Sequence, residues 1–210
     1  EDLRKKTDAR FEYMLPNILI GKTFSTQNFG TLDIKSNAFY NNYDTNKHKT
    51  FLTNDVLWTP YSYITKKGFK NSLMGMIRNT NYETKKTNEY KDENSVNEFH
   101  GVLAYKSSLP MKKNGINFSN IFSPNFMLRY APGHMRNLSK NDQNFNYNDL
   151  YALNKTTEIE TGLSAVLGFD YTINEKKDGK IKGEKFSLSL GQVFNQKRNE
   201  DIPSKSSLDQ

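Results

Sequence analysis

At 210 residues without a cysteine, the chain is long enough to bury a core but has neither disulfides nor thiolate metal ligands. Hydrophobic residues make up only 35% and mean hydropathy is −0.83, yet aromatics reach 13%, more than a disordered chain carries. The net charge of +7 comes from 24 Lys and only 6 Arg, beside 26 Asn; that bias marks an A+T-rich genome, and scarce Arg argues against a nucleic-acid partner.

Eight long β-segments are predicted, at 9–24, 29–43, 49–64, 68–83, 94–110, 116–131, 157–174 and 184–196. No apolar run reaches the ~18 residues of a membrane-crossing helix. In the first segment, over 10–22, apolar residues fall on both faces, which points to a bulge or to a loop or plug packed inside. The second and third carry Tyr40 and Tyr43, then Trp58, Tyr61 and Tyr63, near their ends. The fourth is two-sided again over 69–82. In the fifth, Phe99, Gly101, Leu103, Tyr105 and Leu109 alternate with Glu98, His100, Lys106 and Ser108. In the sixth, Ile116, Phe118, Phe122, Phe126, Leu128 and Tyr130 alternate with Asn117, Ser119, Ser123, Asn125 and Arg129.

The seventh segment has the strictest beat. Ile159, Leu163, Ala165, Leu167, Phe169, Tyr171 and Ile173 form an apolar set broken by Thr161, against Glu158, Glu160, Gly162, Ser164, Gly168, Asp170 and Thr172, broken by Val166. Successive strand side chains point to opposite faces, so one face is apolar and the other wet. The run is about fifteen residues long, where a soluble strand has ~5–6 and a membrane-crossing strand needs ~9–11. The eighth alternates Phe186, Leu188, Leu190 and Phe194 with Lys185, Ser187, Ser189 and Gly191.

Links are tight at 25–28, 65–67 and 112–115, where Asn114-Gly115 suits a type I′ turn. They are longer at 84–93 and 132–156, which fits the short and long turns at the two rims of outer-membrane barrels. The Lys-rich 175–183 reads as a long exception to that parity, and 195–210 as a polar loop.

Catalytic chemistry is not expected. His48 in a turn, His100 on a polar strand face and His134 in the long loop have no partner at metal or triad spacing. Asp55 and Glu98 are isolated, and Glu158 and Glu160 read as a lumen-lining pair rather than a dyad. Gly162, Gly168 and Gly191 lie within strands, where glycine marks bending or close backbone approach. No cofactor or metal is implied.

Several stretches are similar to the barrel domain of the LptD family of lipopolysaccharide-assembly proteins (also called OstA or Imp). They are Ser123-Pro-Asn-Phe-Met-Leu-Arg-Tyr-Ala-Pro132, Tyr147-Asn-Asp-Leu-Tyr-Ala-Leu-Asn-Lys155, Glu160-Thr-Gly-Leu-Ser-Ala-Val-Leu-Gly-Phe-Asp-Tyr171 and Phe186-Ser-Leu-Ser-Leu-Gly-Gln-Val-Phe194. Ile202-Pro-Ser-Lys-Ser-Ser-Leu208 and, in the first half, Asn54-Asp-Val-Leu-Trp58 add to it. The Lys/Asn bias resembles the α-proteobacterial versions. The resemblance implies a large barrel in the cell outer membrane with an LptE-like plug lipoprotein in its lumen. It also implies a periplasmic jellyroll joined to the Lpt bridge, and a lateral gate that releases lipopolysaccharide into the outer leaflet. The jellyroll and the gate strands have no counterpart in 1–210, and without cysteine a disulfide-controlled activation does not carry over.

The expected fold is therefore all-β: an antiparallel transmembrane β-barrel fragment, about eight long strands in meander order, with 1–210 forming part of one barrel domain. Asn125, Arg129, Glu158, Glu160 and Asp170 are expected to face the lumen. Phe126, Leu128, Leu163, Leu167, Phe169, Leu188 and Leu190 are expected to face lipid, and Tyr40, Trp58, Tyr130 and Tyr171 to sit at the membrane interface. Charge reversal at Glu160 should then be tolerated better than a Lys at Leu167, which costs ~2–4 kcal/mol at mid-membrane. A porin, a receptor-type transporter or a soluble β-sandwich binder are the competing readings.

Overall fold

The computed structural model describes residues 12–43, 47–87, 95–139, 146–156, 158–177 and 179–203. The beginnings of the first, fifth and seventh predicted segments (9–11, 94 and 157), parts of three predicted links (88–93, 140–145 and 178) and the end of the polar stretch (204–210) lie outside the described residues.

Ten strands form a single antiparallel sheet: β1 (Glu12–Thr26), β2 (Gly30–Tyr43), β3 (Lys47–Thr59), β4 (Tyr63–Ile64), β5 (Lys70–Lys85), β6 (Val96–Ser108), β7 (Met111–Asn114), β8 (Phe118–Ala131), β9 (Gly162–Lys177) and β10 (Lys180–Asn195). The long strands lie in the order β1-β2-β3-β5-β6-β8-β9-β10, each beside its predecessor, and β4 and β7 extend β5 and β8. The eight-strand meander is thus present. One sheet is not two sheets sealed face to face, so the sandwich reading falls away.

Five local expectations change. The seventh strand begins at Gly162, not at 157, because its partner β8 ends at Ala131 and Pro132 follows; Glu158 and Glu160 have no ladder to join. The predicted long link at 175–183 is instead tight, with β9 running to Lys177 and β10 starting at Lys180 beside Gly179 at φ +77°. The third segment stops before Pro60, and Tyr63–Ile64 pairs separately with Lys70 and Asn71. The Asn114-Gly115 turn is not type I′. Gly115 lacks the positive φ, its N–H donates to the Phe118 carbonyl at 2.8 Å, and Ile116 leaves the strand pattern for the exposed turn. His48 lies on β3 rather than in a turn. The rim parity also changes: the exception is the three-residue link between β2 and β3, not the one after β9.

Antiparallel pairing carries one side-chain parity across the whole sheet. On one face, Ile20, Phe24, Ile34, Leu52, Ile77, Leu103, Leu128, Leu167 and Leu190 are all exposed, uncovered by any described residue. On the other face, the described parts of the loop after β8 (132–139, 146–156 and 158–161) and residues 196–203 fold back over β5 to β10. Met76, Val102, Ala104, Met127, Val166 and Val193 of the strands pack there against Met135, Leu138, Leu150, Leu153, Ile159 and Ile202. Burying each large side chain contributes about 1.5–3 kcal/mol. This explains Val166, which breaks the polar set of β9: it is fully buried opposite Met127 beneath the loop. Met74 and Met76 explain the two-sided pattern over 69–82 in the same way. In β1 the cause differs, a register shift between Met14 and Asn17 around Pro16.

The strands are staggered. Pairing runs from Trp58, near the end of β3, through Gly75 and Leu103 to Tyr130, which sits before the opposite rim at the end of β8. A line square to the strands therefore crosses from one rim to the other, the shear a closed barrel requires.

Candidate functional site

The covered face is where polar chemistry gathers, and three anchors hold the loop to it. The first is a notch in the wall. Gly168 of β9 pairs with Gly191 of β10, and the missing side chains admit a short 3-10 turn, Tyr147–Tyr151. Asn146 caps that turn by accepting from the Asn148 and Asp149 N–H groups, while Asp149 accepts from the Asn146 N–H at 2.8 Å. A Cβ on Gly168 would collide with the Leu190 carbonyl and the Tyr151 hydroxyl; one on Gly191 would lie 2.9 Å from Leu150 Cδ1. Beneath the turn, Asn125 donates to Asp170 at 2.7 Å and to the Tyr147 hydroxyl at 3.3 Å, and Ser189 donates to Asp170 at 2.6 Å. Burial, and then the Tyr147 hydroxyl beside it, push the Tyr151 hydroxyl far up. Gly191→Leu meets only loop side chains, so it is expected to lift the turn at about 1–3 kcal/mol and speed proteolysis within 132–161, leaving the strands protected.

The second anchor is buried. Arg129, 2% exposed, donates through Nε to the Leu153 carbonyl at 2.6 Å and through Nη1 to the Glu160 carbonyl at 2.7 Å. Its Nη2 lies 3.1 Å from Glu160 Oε2, an ion pair whose alignment falls short of a hydrogen bond, and Glu160 Oε1 accepts from the Thr156 N–H. The third anchor is Arg136 of the loop. It pairs with Glu158 at 2.5 Å and with Glu98 of β6, its guanidinium 5.1 Å over the Tyr82 ring. Burial pushes the Glu158 carboxyl up, with Arg136 and Arg78 opposing. His100 lies 3.7 Å from Glu98 and edge-on to His134.

Asn125, Arg129 and Asp170 therefore stand on the covered face, on the strands where they were expected. Glu158 and Glu160 do not: they lie in the loop and clamp it down, so the proposed contrast between Glu160 and Leu167 loses its force. Phe126, Leu128, Leu163, Leu167, Phe169, Leu188 and Leu190 share the uncovered face, as do Tyr40, Trp58, Tyr130 and Tyr171. Trp58 donates to the Phe29 carbonyl at 2.9 Å, and Tyr61 to the Thr26 carbonyl at 2.6 Å, tying β3 to the first turn. Lys155, Arg136 and the tyrosine turn were missed by the sequence reading; Gly168 and Gly191 were the available signal for the turn.

Residues 22–210 match the family LptD, LPS transport system D. The chain belongs to the LptD family. No curated protein matches it. LptD proteins are transport and assembly proteins of the outer membrane that handle lipopolysaccharide. In this LptD-family chain a buried cation, Lys155, lies in the loop over the covered face. Burial, and then the Arg129 charge, push the Lys155 ammonium down to about 8, with Glu160 opposing.

Proposed function

We propose that this chain is part of one outer-membrane barrel domain that passes lipopolysaccharide through its lumen and out by a lateral gate, without covalent chemistry. The uncovered face meets lipid and the covered face meets the lumen. The observation that carries this reading is the division of eight long strands into one face that exposes a large apolar side chain on every strand and an opposite face packed under a folded loop. Edge strands β1 and β10 each lack a second neighbour among the described residues. A bilayer tolerates no unpaired edge, so further strands complete the wall. The stagger supports closure, and Tyr40, Trp58 and Tyr130, near strand ends, form the interfacial aromatic belts, whereas Tyr171 stands mid-strand opposite Leu188. A plug lipoprotein and a periplasmic bridge are the protein partners this role calls for.

The test is a photo-reactive residue at Ser187, on the inner side of β10, in growing cells. It is expected to capture lipopolysaccharide, and capture should stop when transport is de-energised. At neighbouring Leu188 any capture should be indifferent to transport. Transport-dependent capture at Leu188 but not at Ser187 would overturn the assignment.

A further inference from the structure

Where β8, β9 and β10 meet the loop, a cleft of about 550 Å³ opens. Arg129, Lys155, Lys197 and Arg198 line it, against Glu160, Glu200 and Asp201, so cations exceed carboxylates by one. Glu160 is already engaged by Arg129 and the Thr156 N–H. Lys155 and Ser164 are each 6% exposed. Among the described residues, no hydrogen bond or ion pair ties down the Lys155 ammonium, and the Ser164 hydroxyl has no partner. A nearly buried ammonium and a buried hydroxyl without an acceptor, both on residues that line one cleft, are costly unless something accepts from them. A group with several anionic oxygens satisfies both and sits beside a fixed guanidinium charge. The cleft is larger than one oxyanion, and Ala131, Val193 and Ile202 give it an apolar side suited to an amphiphile.

We propose that this cleft binds a phosphoryl group, with Lys155 and Ser164 donating to its oxygens and Arg129 supplying the charge behind them. The proposal rests on the lumenal reading of the covered face and adds which part of a passing lipid is held there. A bound phosphoryl group favours the ammonium form of Lys155, so binding near pH 8 takes up a proton.

The intact protein in dodecyl maltoside is titrated calorimetrically with dodecyl phosphate, inorganic phosphate and acetate, in two buffers of different ionisation heat. Dodecyl phosphate is expected to bind saturably with proton uptake. Lys155→Met should weaken it at least tenfold and Ser164→Ala about threefold, as expected for lost charged and neutral hydrogen bonds, while Lys112→Met on the exposed hairpin leaves it unchanged. Binding of inorganic phosphate as well shows that the phosphoryl group suffices; binding of dodecyl phosphate alone assigns the amphiphile as its source. No saturable binding of either, equal affinity for acetate, or an unaffected Lys155→Met overturns the proposal. Should Lys155→Met not fold, acetylation of Lys155 in the unaltered protein is followed by mass spectrometry: dodecyl phosphate should slow it severalfold, and an unchanged rate overturns the site. If Ser187 still captures lipopolysaccharide in that case, the phosphoryl site fails alone and the lumenal reading stands.

Discussion

Leu190→Lys is expected to destabilise the membrane-inserted barrel by about 2–4 kcal/mol, the cost of a lipid-facing cation near the bilayer midplane. Leu190 is 53% exposed on the uncovered face and stands opposite Phe169, itself opposite Pro124, well inside the strands. Its neighbour Ser189 points the other way and donates to Asp170. Ser189→Lys places the same charge one residue along the same strand, beside a carboxylate, and is expected to cost under about 1 kcal/mol, within the range for tolerated polar sites. The pair isolates the face, because propensity, strand and depth are shared. Heat-modifiability on gels and guanidinium unfolding in vesicles read the difference. Equal costs would mean that the two faces see the same medium.

Glu160→Gln is expected to release the loop at a cost of about 3–5 kcal/mol, the usual penalty for stranding a buried partner charge. The amide keeps an acceptor for the Thr156 N–H and removes only the charge beside Arg129. The loss should be local. Hydrogen exchange should accelerate across 153–161, while the β8–β9 ladder stays protected, since an anchored loop opens before its wall does. In a double-mutant cycle with Arg129→Met, the coupling should be about 1–3 kcal/mol, as for side chains in direct contact. Additive effects would show that the ion pair is incidental to the attachment.

These two experiments separate what was legible in the sequence from what was not. The face of Leu190 was legible because alternation is a local signal: Phe186, Leu188, Leu190 and Phe194 declare their side whatever else folds nearby. Membership of a long wall was legible from strand length. The roles of Glu158 and Glu160 were not. Ile159 between two glutamates continues the two-residue beat, and nothing local tells an inward-facing strand carboxylate from one that reaches Arg136 or Arg129 out of a loop. The difference lies in β8, which ends before it could pair with them. The core on the inner face was half legible. Val166 and the methionines of 69–82 broke the pattern, and their partners, Leu150, Leu153 and Ile159, sit in the loop whose return path no periodicity encodes. The tight turn at Gly179 was hidden by surrounding lysines, which extend β9 and β10 past the point where apolar alternation fades.

The central claim is that side chains along β10 alternate between lipid and lumen. The chain has no cysteine, so single cysteines at Ser187, Leu188, Ser189 and Leu190 can each carry a spin label in the membrane-embedded protein. Collision with oxygen should peak at 188 and 190, and collision with a water-soluble nickel chelate at 187 and 189. Uniform access of the chelate to all four positions, or peaks in the opposite phase, would contradict the account.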